Sequence, residues 1–70
     1  MSQRPATFEQ INMIVGMEVN QATEYLKNLG YILRIIRQDG TFLSVTQDFK
    51  PNRVNVFCEG NKISIFFSIG

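Results

Sequence analysis

The chain has 70 residues, 44% of them apolar, and its seven basic and six acidic residues leave a net charge of +1. This length predicts one small domain, and the scattered Lys and Arg residues argue against nucleic acid as a partner. The chain has one cysteine, so it cannot form an internal disulfide, and it has no histidine, the commonest metal ligand and catalytic base. We therefore expect neither a metal nor another cofactor, and we do not expect an enzyme.

Residues 1–14 are predicted to form an N-terminal arm followed by a segment that covers one end of the core. Met1–Thr7 is polar, contains Pro5, and is expected to be frayed. It has no hydrophobic signal core, and the chain has no apolar run long enough to span a membrane, so a membrane partner is not expected. The compartment is left undecided. The protein is expected to be either cytoplasmic or secreted by means of a leader that is not part of this chain. Phe8–Val15 predicts a turn of helix or an irregular segment that Gly16 ends.

Residues 15–70 are predicted to form the domain proper, an α+β fold with one helix packed on a small mixed β-sheet and an extended, exposed binding loop. The helix is expected at Val19–Leu29, where apolar residues recur at helical spacing, and Gly30 follows as its stop. Glu18 is a weak N-cap, so this helix has to depend on tertiary packing.

Strands are predicted on both sides of the loop. Their ranges are Tyr31–Arg37, Arg53–Cys58 and Ile63–Ile69. Asp39-Gly40 marks a turn, and whether Thr41–Val45 then pairs with the first strand as a hairpin is left open. A tight turn is expected at 59–62, with Gly60 and Asn61 suited to positive φ. Simple alternation places four side chains of the last strand on one face: Ile63, Ile65, Phe67 and Ile69.

The most informative stretch is Val45–Phe57, where a polar loop containing Pro51 directly precedes an alternating strand. Alternation puts Arg53 and Asn55 on one face of that strand. The apolar residues Val54, Val56 and Cys58 fall on the other face. The polar face can point back under the loop and hold it from beneath. This pattern favours recognition of a partner by a rigid, exposed segment over chemistry in a pocket.

Several segments resemble the potato inhibitor I family, which includes eglin and the barley chymotrypsin inhibitor. VGMEVNQATEYL at 15–26 is similar to the helix opening of that family. VTQD at 45–48, followed by NRVNVF at 52–57, resembles its protease-binding loop and supporting strand. KPNRVN at 50–55 is closer still to small microbial elastase inhibitors, and Gly70 after an apolar strand also fits. The resemblance covers residues 15–70.

The resemblance implies an inhibitor of serine proteases of the subtilisin, chymotrypsin or elastase type, which would be its protein partner. The loop that enters the protease like a substrate would consist of Val45, Thr46, Gln47, Asp48 and Phe49. The scissile bond would join Gln47 to Asp48, with Gln47 at the primary specificity position. Loop support would come from Arg53, Asn55 and Gly70. Arg53, with Asn55 as a second candidate, is expected to bond to Thr46 and Asp48.

The alternative function is a non-inhibitory protein-interaction or self-associating module on the same fold. Thr41–Ser44 makes the connection into the loop longer than the family's, Gln47 is polar where an apolar residue is usual, and Asn55 replaces a second arginine. Phe42, Leu43 and Phe49 would form an apolar contact patch if they are exposed. The pair Phe66-Phe67 places one ring on each face of its strand, which leaves a homo-oligomer open.

Overall fold

The computed structural model describes residues 7–70, which form two helices and a four-stranded mixed sheet. In chain order the elements are α1 (Phe8–Asn12), α2 (Val19–Asn28), β1 (Ile32–Gln38), β2 (Thr41–Phe42), β3 (Arg53–Glu59) and β4 (Lys62–Ile69). The predicted α+β fold, with one main helix on a small mixed sheet, is confirmed. The predicted fraying of the N-terminal arm lies outside the described residues, except at Thr7. No helix within 7–70 has the length and apolar character needed to cross a membrane.

The first helix is held at its start by Thr7, which was expected to be frayed. The Thr7 hydroxyl accepts a hydrogen bond from the Gln10 main-chain nitrogen at 3.2 Å, and the Gln10 side chain accepts one from the Thr7 nitrogen at 2.8 Å. This reciprocal capping box satisfies two main-chain donors that a helix start otherwise leaves free. Ile11 and Ile14 are buried, so the segment covers the core as predicted.

The second helix packs through its apolar stripe, with Ala22 and Leu26 fully buried. Glu18 makes no side-chain capping bond, as its residue type predicts. Tertiary contacts take over this role, since the Val19 nitrogen donates to the Asn61 oxygen at 2.9 Å. The helix ends before Gly30, which has a φ of 84° and so adopts the left-handed stop that was predicted.

The sheet has the strand order β2-β1-β3-β4, in which β1 and β3 are parallel and the outer pairs are antiparallel. One face packs on α2 through the buried residues Val54, Val56, Cys58 and Ile63. The predicted alternation of β3 is therefore confirmed. Burial raises the pKa of the Cys58 thiol, which favours the protonated form of this small core side chain.

A tight hairpin joins β1 to β2, which answers the question left open by the sequence. Asp39 and Gly40 have φ values of 50° and 83°, the conformation that matches the twist of a two-residue hairpin turn. The pairing sets Arg37 opposite Phe42 and Gln38 opposite Thr41. In the turn before β4, Gly60 has a positive φ of 58°, but Asn61 does not, so that part of the prediction was wrong.

The predicted face assignment of β4 was also wrong. Ile63 is buried and Ile69 packs on the core, but Ile65 and Phe67 are 49% and 58% exposed. The physical reason is irregular pairing: the β3–β4 register shifts once between Asn55 and Val56 and again between Phe57 and Cys58. Each shift inserts a residue into β4 and breaks the simple alternation. Phe66 instead joins the core face beside Val56.

Candidate functional site

The segment 43–52 is an irregular, exposed loop between β2 and β3. It contains the residues that the family resemblance implies as the protease-binding loop, and for that reason alone it is called the reactive loop below. It lies over the end of the sheet face that points away from α2. Arg53 and Asn55 belong to that face, yet they are only 6% and 4% exposed because the loop covers them. Two polar residues buried between a sheet and a loop have to find hydrogen-bond partners there.

Hydrogen bonds fasten the reactive loop to the residues beneath it at three positions. The held residues Thr46, Asp48 and Lys50 bond to groups beneath the loop. All residues of the loop are exposed, among them Val45 at 37%, Phe49 at 72% and Gln47. The loop is therefore open to solvent along its length while bonds at Thr46, Asp48 and Lys50 hold its main chain to the groups below.

Arg53 is the central support on the C-terminal side. Its Nη2 donates to the main-chain oxygen of Asp48 at 2.8 Å and to that of Gly70 at 2.6 Å, and its Nε donates to the same Gly70 oxygen at 3.0 Å. It also forms an ion pair with the Asp48 carboxylate at 3.4 Å. Arg53 does not reach Thr46, so the expected bond to that residue was wrong, because the guanidinium is already occupied by Asp48 and Gly70.

Arg34 of β1 supports the N-terminal side, a role that the sequence reasoning missed. Its Nη1 donates to both the main-chain oxygen and the hydroxyl of Thr46 at 3.2 Å. Its Nε donates to Asn55 Oδ1 at 2.8 Å, and Asn55 Nδ2 donates to the Ser68 hydroxyl at 3.2 Å. Asn55 thus orients Arg34 and does not bond to Thr46 or Asp48, contrary to the expectation, because its short side chain stops below the loop.

Thr46 and Asp48 are also joined to each other, since the Thr46 hydroxyl donates to the Asp48 carboxylate. This bond spans the exposed Gln47. The bond from Thr46, followed by those from Arg53, lowers the pKa of Asp48 to about 2. Asp48 is therefore ionised throughout the neutral range and keeps accepting these bonds.

Gly70 lies against the start of β3 and closes the site. Its oxygen accepts from Arg53 and from the Lys50 nitrogen at 3.1 Å, while its nitrogen donates to the Arg53 oxygen at 2.9 Å. Its φ of 147° lies in a region that favours glycine. A Cβ at this position would stand 3.1 Å from the Phe49 ring, so any other residue requires that ring to shift.

The hairpin β1–β2 leads into the reactive loop and carries further exposed apolar side chains. Phe42 is 65% exposed and Leu43 is 43% exposed. Phe49 is exposed as well, but it lies against Gly70 while Phe42 packs on Phe57, so these residues do not form the single apolar patch that the sequence left open. Within residues 7–70, no three His, Cys, Asp or Glu side chains come close enough together to hold a metal ion.

Chemically, the site is a network of hydrogen bonds that holds an exposed loop against the sheet. It joins the predicted residues Thr46, Asp48, Arg53, Asn55 and Gly70 into one hydrogen-bonded unit, and Arg34 completes it. The clue to Arg34 was its place in a strand whose neighbours Leu33 and Ile35 are apolar, which turns Arg34 to the opposite face.

Protein-family models, curated proteins and solved structures were all compared with the chain, and none of them matches it.

Proposed function

We propose that this protein is an inhibitor of serine proteases that binds its target like a substrate through the reactive loop. The observation that carries the proposal is the support on both sides of the exposed Gln47: Arg34 holds Thr46, and Arg53 holds Asp48. The sequence resemblance to potato inhibitor I proteins supports the same function. The scissile bond would be Gln47–Asp48.

An extended segment whose main chain is already held suits a protease cleft, which binds substrates by main-chain hydrogen bonds along a strand. Ordering a flexible peptide opposes binding by about 0.5–1.5 kcal/mol for each side chain that becomes immobilised. The bonds to the Thr46 and Asp48 side chains and to the Lys50 main-chain nitrogen are made before the protease arrives, so part of this ordering has already taken place in the free protein.

The same bonds explain why cleavage would be slow and reversible. After attack on the Gln47 carbonyl, the new amine belongs to Asp48, which stays tied to Arg53. Thr46 stays tied to Arg34, and the Thr46–Asp48 bond links the two sides. The leaving amine therefore remains beside the acyl group, where re-formation of the peptide bond competes with attack by water.

The test is to incubate the protein with subtilisin, chymotrypsin and elastase while recording residual protease activity and the intact mass of the protein. The expected result is stoichiometric inhibition with slow cleavage at Gln47–Asp48. Rapid cleavage in the loop without inhibition would contradict the proposal.

The second candidate function is a non-inhibitory interaction module. The observation that favours it is the hairpin β1–β2, which forms and leaves Phe42 exposed. This candidate predicts neither inhibition nor preferential cleavage at Gln47–Asp48, so the same incubation separates the two functions.

A further inference from the structure

The reactive loop covers only one end of the sheet face that points away from α2. At the other end, Phe42, Arg37, Phe57 and Ile65 are register neighbours across β2, β1, β3 and β4 in turn. Phe67 joins them by stacking on Phe57 at a ring distance of 5.1 Å. These five residues are called the aromatic row. They form a continuous strip across the whole sheet.

The aromatic row is already packed in the single chain. The Phe42 ring meets the Phe57 ring edge-on at 5.8 Å. The guanidinium carbon of Arg37 lies 5.2 Å from the centre of the Phe42 ring and 5.3 Å from that of Phe57. Because neighbouring rings hold one another, a partner that docks here would have to immobilise few side chains.

The row is nevertheless open to solvent. Phe42 is 65% exposed, Phe67 58% and Ile65 49%. A buried aromatic side chain removes about 150–250 Å² from water, so the row offers on the order of 300 Å² of apolar surface. Two such surfaces facing each other remove on the order of 600 Å² from water, less than the roughly 1,000 Å² of a stable specific interface. This area fits a weak, reversible association.

The row and its edge carry two side chains of opposite charge, Arg37 and Glu59, which could pair between two copies of the chain. The buried Nε of Arg37 has no hydrogen-bond partner within residues 7–70. Glu59, two residues after Phe57 on the same face, lines a shallow depression together with Arg37. Among the described residues the one ion pair is Arg53–Asp48, so neither Arg37 nor Glu59 has a partner of opposite charge there. A two-fold axis through the row would bring each Arg37 toward Glu59 of the other copy.

From these observations we infer that the aromatic row is the contact surface for a second copy of this chain, with two sheets packed face to face about a two-fold axis. An isologous interface needs a surface that complements itself, and a strip carrying both an unpaired cation and an unpaired anion meets this condition. The reactive loop lies at the other end of the sheet face, so this interface is separate from the proposed protease contact.

The experiment is sedimentation velocity on the purified protein from about 10 µM to about 1 mM, a range suited to weak association. We expect the wild type to shift from monomer to dimer with rising concentration. Phe67→Lys and Phe42→Lys should abolish the shift. The matched control is Met13→Lys, which adds the same charge at a residue that is 63% exposed outside the row. Far-UV circular dichroism and thermal unfolding verify that each variant is folded.

A charge-reversal pair tests the orientation. Glu59→Arg alone should weaken dimerisation at least tenfold, and adding Arg37→Glu should restore part of it, since that change also gives up the contacts of Arg37 with the Phe42 and Phe57 rings. A wild type that stays monomeric throughout the range overturns the inference, and so does a Met13→Lys variant that loses the dimer as Phe67→Lys does. Retained dimerisation in Phe67→Lys also overturns it.

If the wild type is monomeric and Phe67→Lys weakens protease inhibition, the row contacts the protease instead. Absence of protease inhibition leaves the dimer measurement unaffected, so the two proposals fail separately.

Discussion

Arg34 and Asn55 are neighbours across the parallel β1–β3 pair, and the 2.8 Å bond from Arg34 Nε to Asn55 Oδ1 directs the rest of the guanidinium to Thr46. The N-terminal half of the reactive loop is thus supported from β1 and the C-terminal half from β3. Because parallel pairing fixes the two strands side by side, both arginines are held by the sheet itself.

This relationship predicts that Arg34 and Asn55 act as one unit. Arg34→Ala should speed proteolysis at Gln47–Asp48, and Asn55→Ala should do so to a smaller extent by releasing the guanidinium. The double variant should be no worse than Arg34→Ala, which corresponds to a coupling free energy on the order of 1 kcal/mol. The measurement is a double-mutant cycle on the rate of cleavage by subtilisin. Additive effects would mean that Asn55 does not work through Arg34.

Arg53→Ala should turn the protein into a faster substrate while α2 and the core stay folded. A hydrogen bond to a charged group contributes about 1.5–3 kcal/mol, so loss of the bonds to Asp48 should accelerate cleavage roughly ten- to hundredfold. Intact-mass time courses with subtilisin measure the rate, and circular dichroism monitors the fold.

Arg53→Lys is the matched control for this variant. It keeps the charge, but a single ammonium group cannot span Asp48 and Gly70 as the planar guanidinium does. We expect its cleavage rate to lie between those of the wild type and Arg53→Ala. Unchanged cleavage in Arg53→Ala would remove Arg53 from the support of the loop.

These two predictions depend on contacts that the sequence revealed to different degrees. Helical spacing located α2, and the alternation of Val54 and Val56 with Arg53 and Asn55 placed the polar pair under the loop. Arg34 could not be assigned in the same way, because its contact with Asn55, 21 positions along the chain, depends on the parallel pairing of their two strands. Local patterns do not encode that register.

The irregular pairing of β4 was hidden for a related reason. A strict alternation of Ile63, Ile65 and Phe67 predicts one buried face, and only the register shifts against β3 send Ile65 and Phe67 to the other side. A bulge depends on how two strands twist together, so its position does not follow from either strand alone. The aromatic row exists because of these shifts.

Gly70→Ala should loosen the loop without unfolding the domain. The φ of 147° is strained for alanine, and the new Cβ would push against the Phe49 ring, 3.1 Å away. Strain of this kind costs about 1–3 kcal/mol. We expect the backbone to shift, the bonds from Arg53 to the Gly70 oxygen to weaken, and cleavage at Gln47–Asp48 to rise severalfold.

Gly60→Ala provides the control for backbone strain. Gly60 has a positive φ of 58°, but a Cβ there meets nothing within 4 Å, and the residue lies in the turn between β3 and β4. It should lower thermal stability without changing cleavage of the loop. Equal cleavage in the two alanine variants would show that Gly70 has no specific role in the loop.

The stability supplied by Asp48 should depend on pH in a defined window. Its folded pKa is lowered from 3.8 to about 2, so the carboxylate stabilises the native state fully above the unfolded value and loses this effect as pH falls through the folded one. Urea unfolding of the wild type and Asp48→Asn from pH 7 to about pH 2 measures the difference. Asp39 and the other carboxyl groups are common to both proteins and cancel. A difference that stays constant below pH 3.8 would contradict this assignment.

Gln47→Leu should strengthen inhibition of subtilisin and chymotrypsin. Gln47 is exposed and makes no side-chain bond among those described, so its replacement leaves the support of the loop intact. In an apolar specificity pocket, full burial of a leucine side chain contributes about 1.5–3 kcal/mol, and a glutamine has to give up its hydration instead. The inhibition constant should therefore fall roughly ten- to hundredfold. Val45→Leu, at another exposed position of the loop, is the comparison variant and should change the constant much less. Equal effects of the two substitutions would move the primary specificity position away from Gln47 and shift the register of the scissile bond with it.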